Sequence, residues 1–210
     1  MDGMFQYKRL AAGLIGSNTY ILWDDRKQGA VIDCGNSAET IQAVTDEQKI
    51  EIRYIILTHV HFDHICFLAD IRRCFPKAEV ICHEADSTFF GNPRLNASVC
   101  FGSERRFEGA DRTVTDGAVL PLSQGAELKV IATPGHTPGS ICIQADNLLF
   151  TGDTLFYGGF GRTDLGAGSM EELSASIRRL YQMDPDLLVL PGHGTTSSIG
   201  REKAENPFYY

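Results

Sequence analysis

Several short apolar runs are followed, after one or two intervening residues, by histidine or aspartate, and this pattern most constrains what the chain can fold into. The run YIIL is followed by THVHFDH, LLF is followed by TGD, and LVL is followed by PGH. Runs of this length and composition predict buried strands. Because loops at the ends of strands commonly carry functional side chains, we expect these histidines and aspartates to meet at one edge of the scaffold.

The first half of the chain predicts a hairpin, two helices and two further strands. β-Branched and aromatic runs predict the strands, and a capping serine before apolar residues at helical spacing predicts the first helix. Pro76 ends the second helix. The predicted elements are hairpin strands 18–23 and 29–33, helices 37–48 and 65–75, and strands 52–57 and 78–82.

The second half repeats the order of strands, helix and strand. Strands are predicted at 128–132, 140–144, 148–150 and 187–190, and short helices and loops are predicted over 84–116. A capping box begins a helix at Ser169 and Glu172. We expect the apolar stripe of this helix to pack into the core. The stripe consists of Met170, Leu173, Ile177 and Leu180.

This order predicts an α+β protein in which two packed sheets have helices outside. We expect one domain, residues 1–210, made of two similar halves at about 1–115 and 116–210.

Composition argues against several kinds of partner and compartment. The net charge is −8, and no run of basic residues is present, so we expect no nucleic-acid partner. No apolar stretch is long enough to span a membrane, and no secretory signal precedes the first strand. The six cysteines have no CxxC spacing and mostly lie among apolar residues. These features predict buried thiols and a cytoplasmic protein.

The segment THVHFDH predicts a metal site. His59 and His61 project to the same side of an extended strand, and Asp63 and His64 follow where the next helix begins. Imidazole nitrogen and carboxylate oxygen are favoured ligands of zinc and iron. His83 has no such neighbours, and we predict that it binds no metal. Three further candidates follow predicted strands with glycine before them: His136 in TPGHTPGS, Asp153 in LLFTGDTLF and His193 in LPGHGTT.

Taken together, THVHFDH, TPGHTPGS, TGDTLF and LPGHG resemble the ordered motifs of the metallo-β-lactamase superfamily. The resemblance implies a four-layer αβ/βα sandwich with metals at the seam of the two halves. It implies that His59, His61 and His136 hold one metal, that Asp63, His64 and His193 hold a second, and that Asp153 bridges them. It implies catalytic roles for Asp63 and Asp153, and a supporting role behind the ligands for Asp33, for which a turn-forming role is an equal alternative.

The stretches GGFGRTDLGAG and TTSSIGREKAENPF resemble the glyoxalase II-like branch of that superfamily, the hydroxyacylglutathione hydrolases. This resemblance implies hydrolysis of a thioester such as S-lactoylglutathione by a metal-bound hydroxide. The metal would be zinc, one or two per chain, with iron or manganese as alternatives. Arg162, Arg201 and Lys203 become candidates for binding the glutathione carboxylates, although Arg162 could instead pair with Asp164.

Two departures from the glyoxalase II pattern leave the thiol open. This chain has GRTDL where the full-length enzymes have a lysine and a tyrosine, and only seven residues follow Lys203, where those enzymes have a helical domain. Four phenylalanines between 84 and 116 could shape the mouth of the site or pack in the core. The alternative activities are a mononuclear iron persulfide dioxygenase, a lactonase or a β-lactamase. A nuclease is disfavoured by the charge, and a non-catalytic metal-binding module is a further alternative.

Overall fold

A computed structural model describes residues 4–11, 13–165 and 167–209 of the chain. The first six strands form one sheet in the spatial order of the sequence. The first three strands pair antiparallel, and the third to sixth pair parallel. Its strands are β1 (Phe5–Leu10), β2 (Thr19–Asp24), β3 (Gln28–Ile32), β4 (Glu51–Ile56), β5 (Glu79–His83) and β6 (Arg112–Val114).

A second six-stranded sheet follows in the sequence, with the order β14-β13-β10-β9-β8-β7. Strands β10 and β13 pair parallel, and the other neighbours pair antiparallel. Two short strands, β11 (Leu155–Phe156) and β12 (Gly159–Phe160), form a separate hairpin. The strands of the second sheet are β7 (Val119–Ser123), β8 (Ala126–Ala132), β9 (Ile141–Ala145), β10 (Leu148–Gly152), β13 (Leu188–Pro191) and β14 (Ser197–Ser198).

Three apolar clusters hold four layers together. The inner faces of the two sheets share one core, to which Ile56 and Phe150 contribute. The outer face of the first sheet packs against α1 and α3, and that of the second against α4 and α5. The four-layer αβ/βα sandwich is therefore confirmed. The helices are α1 (Ala38–Gln48), α2 (Phe62–Ile65), α3 (Leu68–Cys74), α4 (Met170–Leu180) and α5 (Ile199–Glu205).

Most predicted strands and helices are present to within a few residues, and the predicted helix at 65–75 differs. The chain forms α2, then a break at Phe67, then α3. The break occurs because backbone groups of this segment bond to the loop after β3. Cys34 N donates to His64 O, and Phe67 N donates to Cys34 O. These bonds replace the helical hydrogen bonds that a continuous helix would require.

The start of α4 also differs in two details from the prediction. The Ser169 hydroxyl caps Glu172 N as expected, but Ser169 N donates to Gly135 O, so the reciprocal half of the capping box is absent. Met170 is 46% exposed, which makes its predicted core position wrong. The other three members of the apolar stripe are buried in the outer core of the second sheet.

Segment 84–116 consists of 3-10 turns and loops that end in β6, close to the prediction. Phe89 and Phe90 are buried against the first sheet, whereas Phe101 packs on Phe62 beside the candidate site. Of the two roles left open for these aromatics, Phe89 and Phe90 therefore pack in the core and Phe101 lies at the mouth of the site. No helix within the described residues is long and apolar enough to cross a membrane.

The six cysteines are all free thiols. Cys34, Cys82 and Cys142 are buried as predicted, but Cys66 and Cys74 are only partly buried and Cys100 is exposed. The expectation of mostly buried thiols therefore holds for half of them. The organisation of residues 1–210 as a single domain stays a prediction.

Candidate metal centre

The topology brings the strand ends that carry histidine and aspartate to one edge of the sandwich. In the second sheet, β8, β10 and β13 all run in the same direction, so their carboxyl ends lie at the same edge. The loops after these strands carry His136, Asp153 and His193. From the first sheet, the loop after β4 carries His59 and His61, and α2 adds Asp63 and His64. The predicted ligands thus come from both sheets.

All seven predicted ligands converge in three overlapping groups, in each of which the ligand atoms lie within 4.8 Å of one another. His61 Nδ1 lies 2.8 Å from His136 Nε2. His193 Nε2 lies 3.2 Å from both Asp63 Oδ2 and His64 Nε2. The groups are His59 with His61 and His136, His59 with His64 and Asp153, and Asp63 with His64 and His193.

Asp153 lies between the two halves of this cluster. Its Oδ1 is 3.4 Å from His64 Nε2, and its Oδ2 is 3.5 Å from both His136 Nε2 and His193 Nε2. The side chain is 10% exposed, so solvent reaches little of it. This position allows the carboxylate to contact a cation on either side.

Hydrogen bonds outside the cluster fix the tautomers of three histidines. His136 Nδ1 donates to the carbonyl oxygen of Arg162 at 2.6 Å, and His64 Nδ1 donates to Asp33 Oδ2 at 2.9 Å. The hydroxyl of Thr58 donates to Asp33 and lies 3.2 Å from His59 Nδ1, which therefore donates to it. Because each of these Nδ1 atoms carries a proton, Nε2 of the neutral ring presents a lone pair.

Some of the acceptor atoms that converge at this edge have no donor to satisfy them. Among the described residues, buried His59 Nε2 and Asp153 Oδ1 have no hydrogen-bond partner. Buried polar atoms are almost always paired, and an unpaired group at a site calls for an ion or water. A divalent cation fits a set of imidazole nitrogens and carboxylate oxygens of this kind.

Asp33 lies directly behind the cluster and is 2% exposed. Besides its bond to His64, its Oδ1 accepts from Thr58 N at 2.8 Å, which holds the start of the THVHFDH loop. The residue has a φ of 62°, in the left-handed region that aspartate tolerates better than most residues. Its turn conformation and its support of the ligands, the two alternatives left open above, thus occur together.

Asp86, a second buried carboxylate behind the cluster, lies in no motif that marks it as part of the site. Asp86 Oδ2 accepts from Val60 N at 3.1 Å and from the Thr137 hydroxyl at 2.8 Å, and Oδ1 accepts from Gly139 N at 2.8 Å. It therefore connects the loop carrying His59 and His61 with the loop carrying His136. Burial raises the pKa of Asp86, and these three hydrogen bonds oppose that rise.

The histidines differ in their electrostatic surroundings. Burial and the neighbouring histidines hold the pKa values of His59 and His61 well below the usual range, with Asp63 opposing this at His61. Burial also lowers the pKa of His64, but Asp63, Asp153 and Asp33 outweigh it and raise the value to about 10.

Asp63 and His193 shift as a pair. Burial raises the pKa of Asp63, but His64 and His193 lower it by a larger amount, so the carboxylate stays ionised at neutral pH. Burial lowers the pKa of His193, but the carboxylates of Asp63 and Asp153 raise it overall. A cation would take over the role that protons on His64 and His193 play here.

A cavity of about 470 Å³ opens onto the cluster. Five of the predicted ligands line it, together with apolar side chains and Arg162. A volume of this size holds a small organic molecule. The cavity therefore gives a substrate access to the ligand cluster.

The three predicted substrate-binding residues occupy different places. Arg162 lines the cavity. Arg201 stacks on the ring of Tyr157 at 3.7 Å and pairs with two glutamates of α5. Lys203 Nζ donates to the Tyr181 carbonyl at 3.1 Å, at the end of α4. Within the described part of the chain, neither Arg201 nor Lys203 lines the cavity.

The sandwich and its ligand cluster define a class of metal-dependent hydrolases, and comparisons with known proteins agree. Residues 12–193 match the model of the metallo-β-lactamase superfamily. The chain belongs to this superfamily, whose members bind divalent metals. The superfamily assignment inferred from the motifs is thus confirmed.

Individual relatives match nearly the whole chain. It is 34% identical to the hydroxyacylglutathione hydrolase GloC of Haemophilus influenzae, over 91% of this chain and 92% of that protein. Its structure resembles that of the B3 metallo-β-lactamase BLEG-1, with a TM-score of 0.91, 33% identity and coverage of 97% and 99%. It also resembles TTHA1623 in a di-iron-bound form, with a TM-score of 0.83, 28% identity and coverage of 96% and 99%.

Proposed function

We propose that this protein is a metal-dependent thioesterase that hydrolyses S-lactoylglutathione or a similar thioester in the cytoplasm. The observation that carries the proposal is its likeness to the Haemophilus hydroxyacylglutathione hydrolase over almost the full length of both chains. The set of seven histidine and aspartate side chains supports it, because these are the ligands that such a hydrolase requires.

In this proposal His59, His61 and His136 hold one cation, and Asp63, His64 and His193 hold a second. Asp153 would help to hold them from its place between the two groups, and zinc is the proposed metal, although a related structure is in a di-iron-bound form. When bound, such cations lower the pKa of water to about 7 and polarise a carbonyl group. With water as the nucleophile, the reaction would need no serine or cysteine nucleophile from the protein.

The chain's own residues would orient the metal ligands and the reacting water. Hydrogen bonds from the imidazole rings to Asp33, Thr58 and the Arg162 carbonyl hold the rings in one tautomer, so their lone pairs need no rearrangement. Asp63 lines the cavity and is ionised at neutral pH, so its carboxylate can accept a hydrogen bond from the reacting water and orient it.

The test is S-lactoylglutathione hydrolysis by protein stripped with a chelator and then reloaded with zinc. We expect the stripped protein to be inactive and the reloaded protein to be active. His59→Ala and Asp153→Asn should each lower kcat at least ~10²-fold, the scale for removing one electrostatic stabiliser. His83→Gln is the matched control, because His83 lies outside the ligand groups and only caps Ala85 N.

Two results would overturn this proposal. One is unchanged thioester turnover by the Asp153→Asn protein, which would remove the cluster from the reaction. The other is a protein that carries one iron per chain and consumes oxygen with glutathione persulfide, which would favour the dioxygenase alternative.

A further inference from the structure

The cavity beside the ligand cluster has mostly apolar walls. Apart from the predicted ligands, one thiol and one arginine, six apolar side chains line it. A lactoyl group is much smaller than this cavity of about 470 Å³, so a lactoyl ester would leave most of it to the thiol portion. The apolar lining residues are Ile15, Ala97, Phe101, Phe156, Phe160 and Leu165.

Arg162, the one arginine or lysine in the described lining, already has an anionic partner. Arg162 Nε donates to Asp164 Oδ1 at 2.5 Å, and Arg162 Nη2 donates to Asp164 Oδ2 at 2.7 Å. This two-point pairing occupies the Nε–Nη2 edge of the guanidinium, one of the two edges that can bind a carboxylate, and the Asp164 charge offsets that of Arg162. The hydrogen bond from Arg162 also lowers the pKa of Asp164 to about 2, so the partner is ionised at neutral pH.

Other cations do not compensate within the cavity. Arg201 and Lys203, the remaining candidates from the sequence, bond to α5 and to the end of α4 and do not contribute to the described lining. The chain as a whole has a net charge of −8. A ligand carboxylate that packed against the apolar walls of this cavity would therefore lose water without gaining a free positive partner, which is costly.

Resting on the proposed thioesterase activity, we infer that the preferred substrate is a thioester whose thiol portion is uncharged and apolar. Glutathione carries two carboxylates and one ammonium group, and the described residues that line this cavity include no unpaired arginine or lysine for either carboxylate. An uncharged thiol portion would instead bury its carbon atoms against the aromatic and aliphatic walls.

A panel of four esters tests this inference on the metal-loaded, full-length protein. The panel combines two acyl groups, lactoyl and mandeloyl, with two thiols, glutathione and uncharged N-acetylcysteamine. We expect kcat/KM for the N-acetylcysteamine ester to exceed that for the glutathione ester of the same acyl group by about tenfold, the ratio equivalent to 1.4 kcal/mol. A ratio of about three or less for both acyl groups would overturn the inference.

An Asp164→Asn variant tests the element held responsible for this selectivity. Loss of the Asp164 charge should free Arg162, raise kcat/KM for both glutathione esters about threefold or more, and leave the uncharged esters within about twofold. Asp116→Asn is the matched control, since Asp116 forms a similar exposed two-point pair with Arg179 outside the cavity. If the ratio of kcat/KM between the N-acetylcysteamine ester and the glutathione ester is the same in Asp164→Asn as in the wild type, the inference is contradicted.

The panel also separates failure of this inference from failure of the proposed function. Absence of metal-dependent turnover for all four esters would reject thioester hydrolysis itself. Turnover that favours the glutathione esters would leave the proposed function intact and reject only the apolar thiol portion.

Discussion

At the level of single residues, two buried carboxylates organise the ligand loops without belonging to the cluster. Asp33 fixes the tautomer of His64 directly and that of His59 through Thr58. Asp86 joins the loop after β4 to the loop after β8 by three hydrogen bonds. Outer residues of this kind commonly influence metal affinity almost as strongly as the ligands do.

We predict that Asp86→Asn weakens metal binding about tenfold, the lower end of the range for such outer partners. The carboxylate of Asp86 accepts three hydrogen bonds. The amide of asparagine has only one oxygen, so its NH2 group would face at least one of these three donors and that hydrogen bond would be lost. The measurement is competition for zinc against a chromophoric chelator, together with the melting temperature of the metal-free protein.

Asp24→Asn is the matched control for this experiment. Asp24 is also buried and also accepts from two backbone amides and one hydroxyl, those of Arg26, Gln28 and Ser123, but it lies at a turn of the first sheet. Both variants should lose stability, and only Asp86→Asn should lose metal affinity. Equal loss of affinity in the two variants would show that Asp86 acts only on stability.

A second residue-scale prediction concerns pH. The pKa of His64 is raised to about 10 in the metal-free protein, so His64 is protonated at neutral pH and must lose this proton to bind a cation. Zinc affinity should therefore fall at least about tenfold per unit as pH is lowered from 8 to 6.5, and binding should release at least about one proton. Calorimetry in buffers of different ionisation enthalpy measures that release.

The stability of the metal-free protein should depend on pH in the opposite direction: it should fall as the pH rises, whereas zinc affinity should rise. Because the folded pKa of His64 lies above its usual value of 6.5, this group stabilises the fold fully below pH 6.5. That contribution is lost as the pH rises through about 10. Zinc binding without proton release would contradict the protonated state of His64.

Some residues of the site could be recognised from the sequence and others could not, for physical reasons. The seven candidate ligands could be selected from the sequence because metal ligation requires particular residue types, which here stand at strand ends. Asp86 was not, because its partners are Val60, Thr137 and Gly139, far away in the sequence. Lys203 was a candidate for binding a substrate carboxylate, but its ammonium group donates to the Tyr181 carbonyl at the end of α4. The sequence around a lysine does not distinguish these two roles.

At the level of elements, the ligand loops depend on close backbone approach. A Cβ at position 192 would lie 2.2 Å from Asp153 Oδ1 and 2.8 Å from His64 Cε1. Glycine in the PGH segment after β13 is therefore required by space, and its position next to His193 explains the sequence of that loop.

We predict that Gly192→Ala lowers kcat for the thioester about 10²-fold, because the new methyl group displaces Asp153 and His64 by a large fraction of an ångström. Steady-state kinetics and zinc content of the purified variant measure the effect. Gly91→Ala is the control, since a Cβ there has no neighbour within 4 Å. Wild-type turnover and zinc content in Gly192→Ala would contradict the close contact.

Elements that satisfy their own hydrogen bonds were predicted better than those that depend on neighbours. Strands β3, β4 and β10 are apolar runs, and α1 has its Ser37 cap, so local sequence was sufficient. The break at Phe67 depends on bonds to Cys34, and β1 is a partly exposed strand of mixed polarity paired only with β2. Neither feature leaves a local pattern.

At the level of the whole molecule, the candidate centre lies where the two sheets meet. The first sheet and its helices supply His59, His61, Asp63 and His64, and loops of the second sheet supply the other three ligands. Because each sheet alone holds only part of the set, the metal site depends on the packing of both. The shared inner core, which includes Ile56, Phe150 and Leu190, aligns the strand ends that carry the ligands.

Anomalous diffraction at the zinc absorption edge, from crystals of protein purified with zinc, tests this account most directly. We predict one or two strong peaks within coordination distance, about 2.0–2.2 Å, of the imidazole nitrogens and carboxylate oxygens of the cluster. A map in which the same side chains are well ordered but contain no peak would contradict the claim that they form a metal centre.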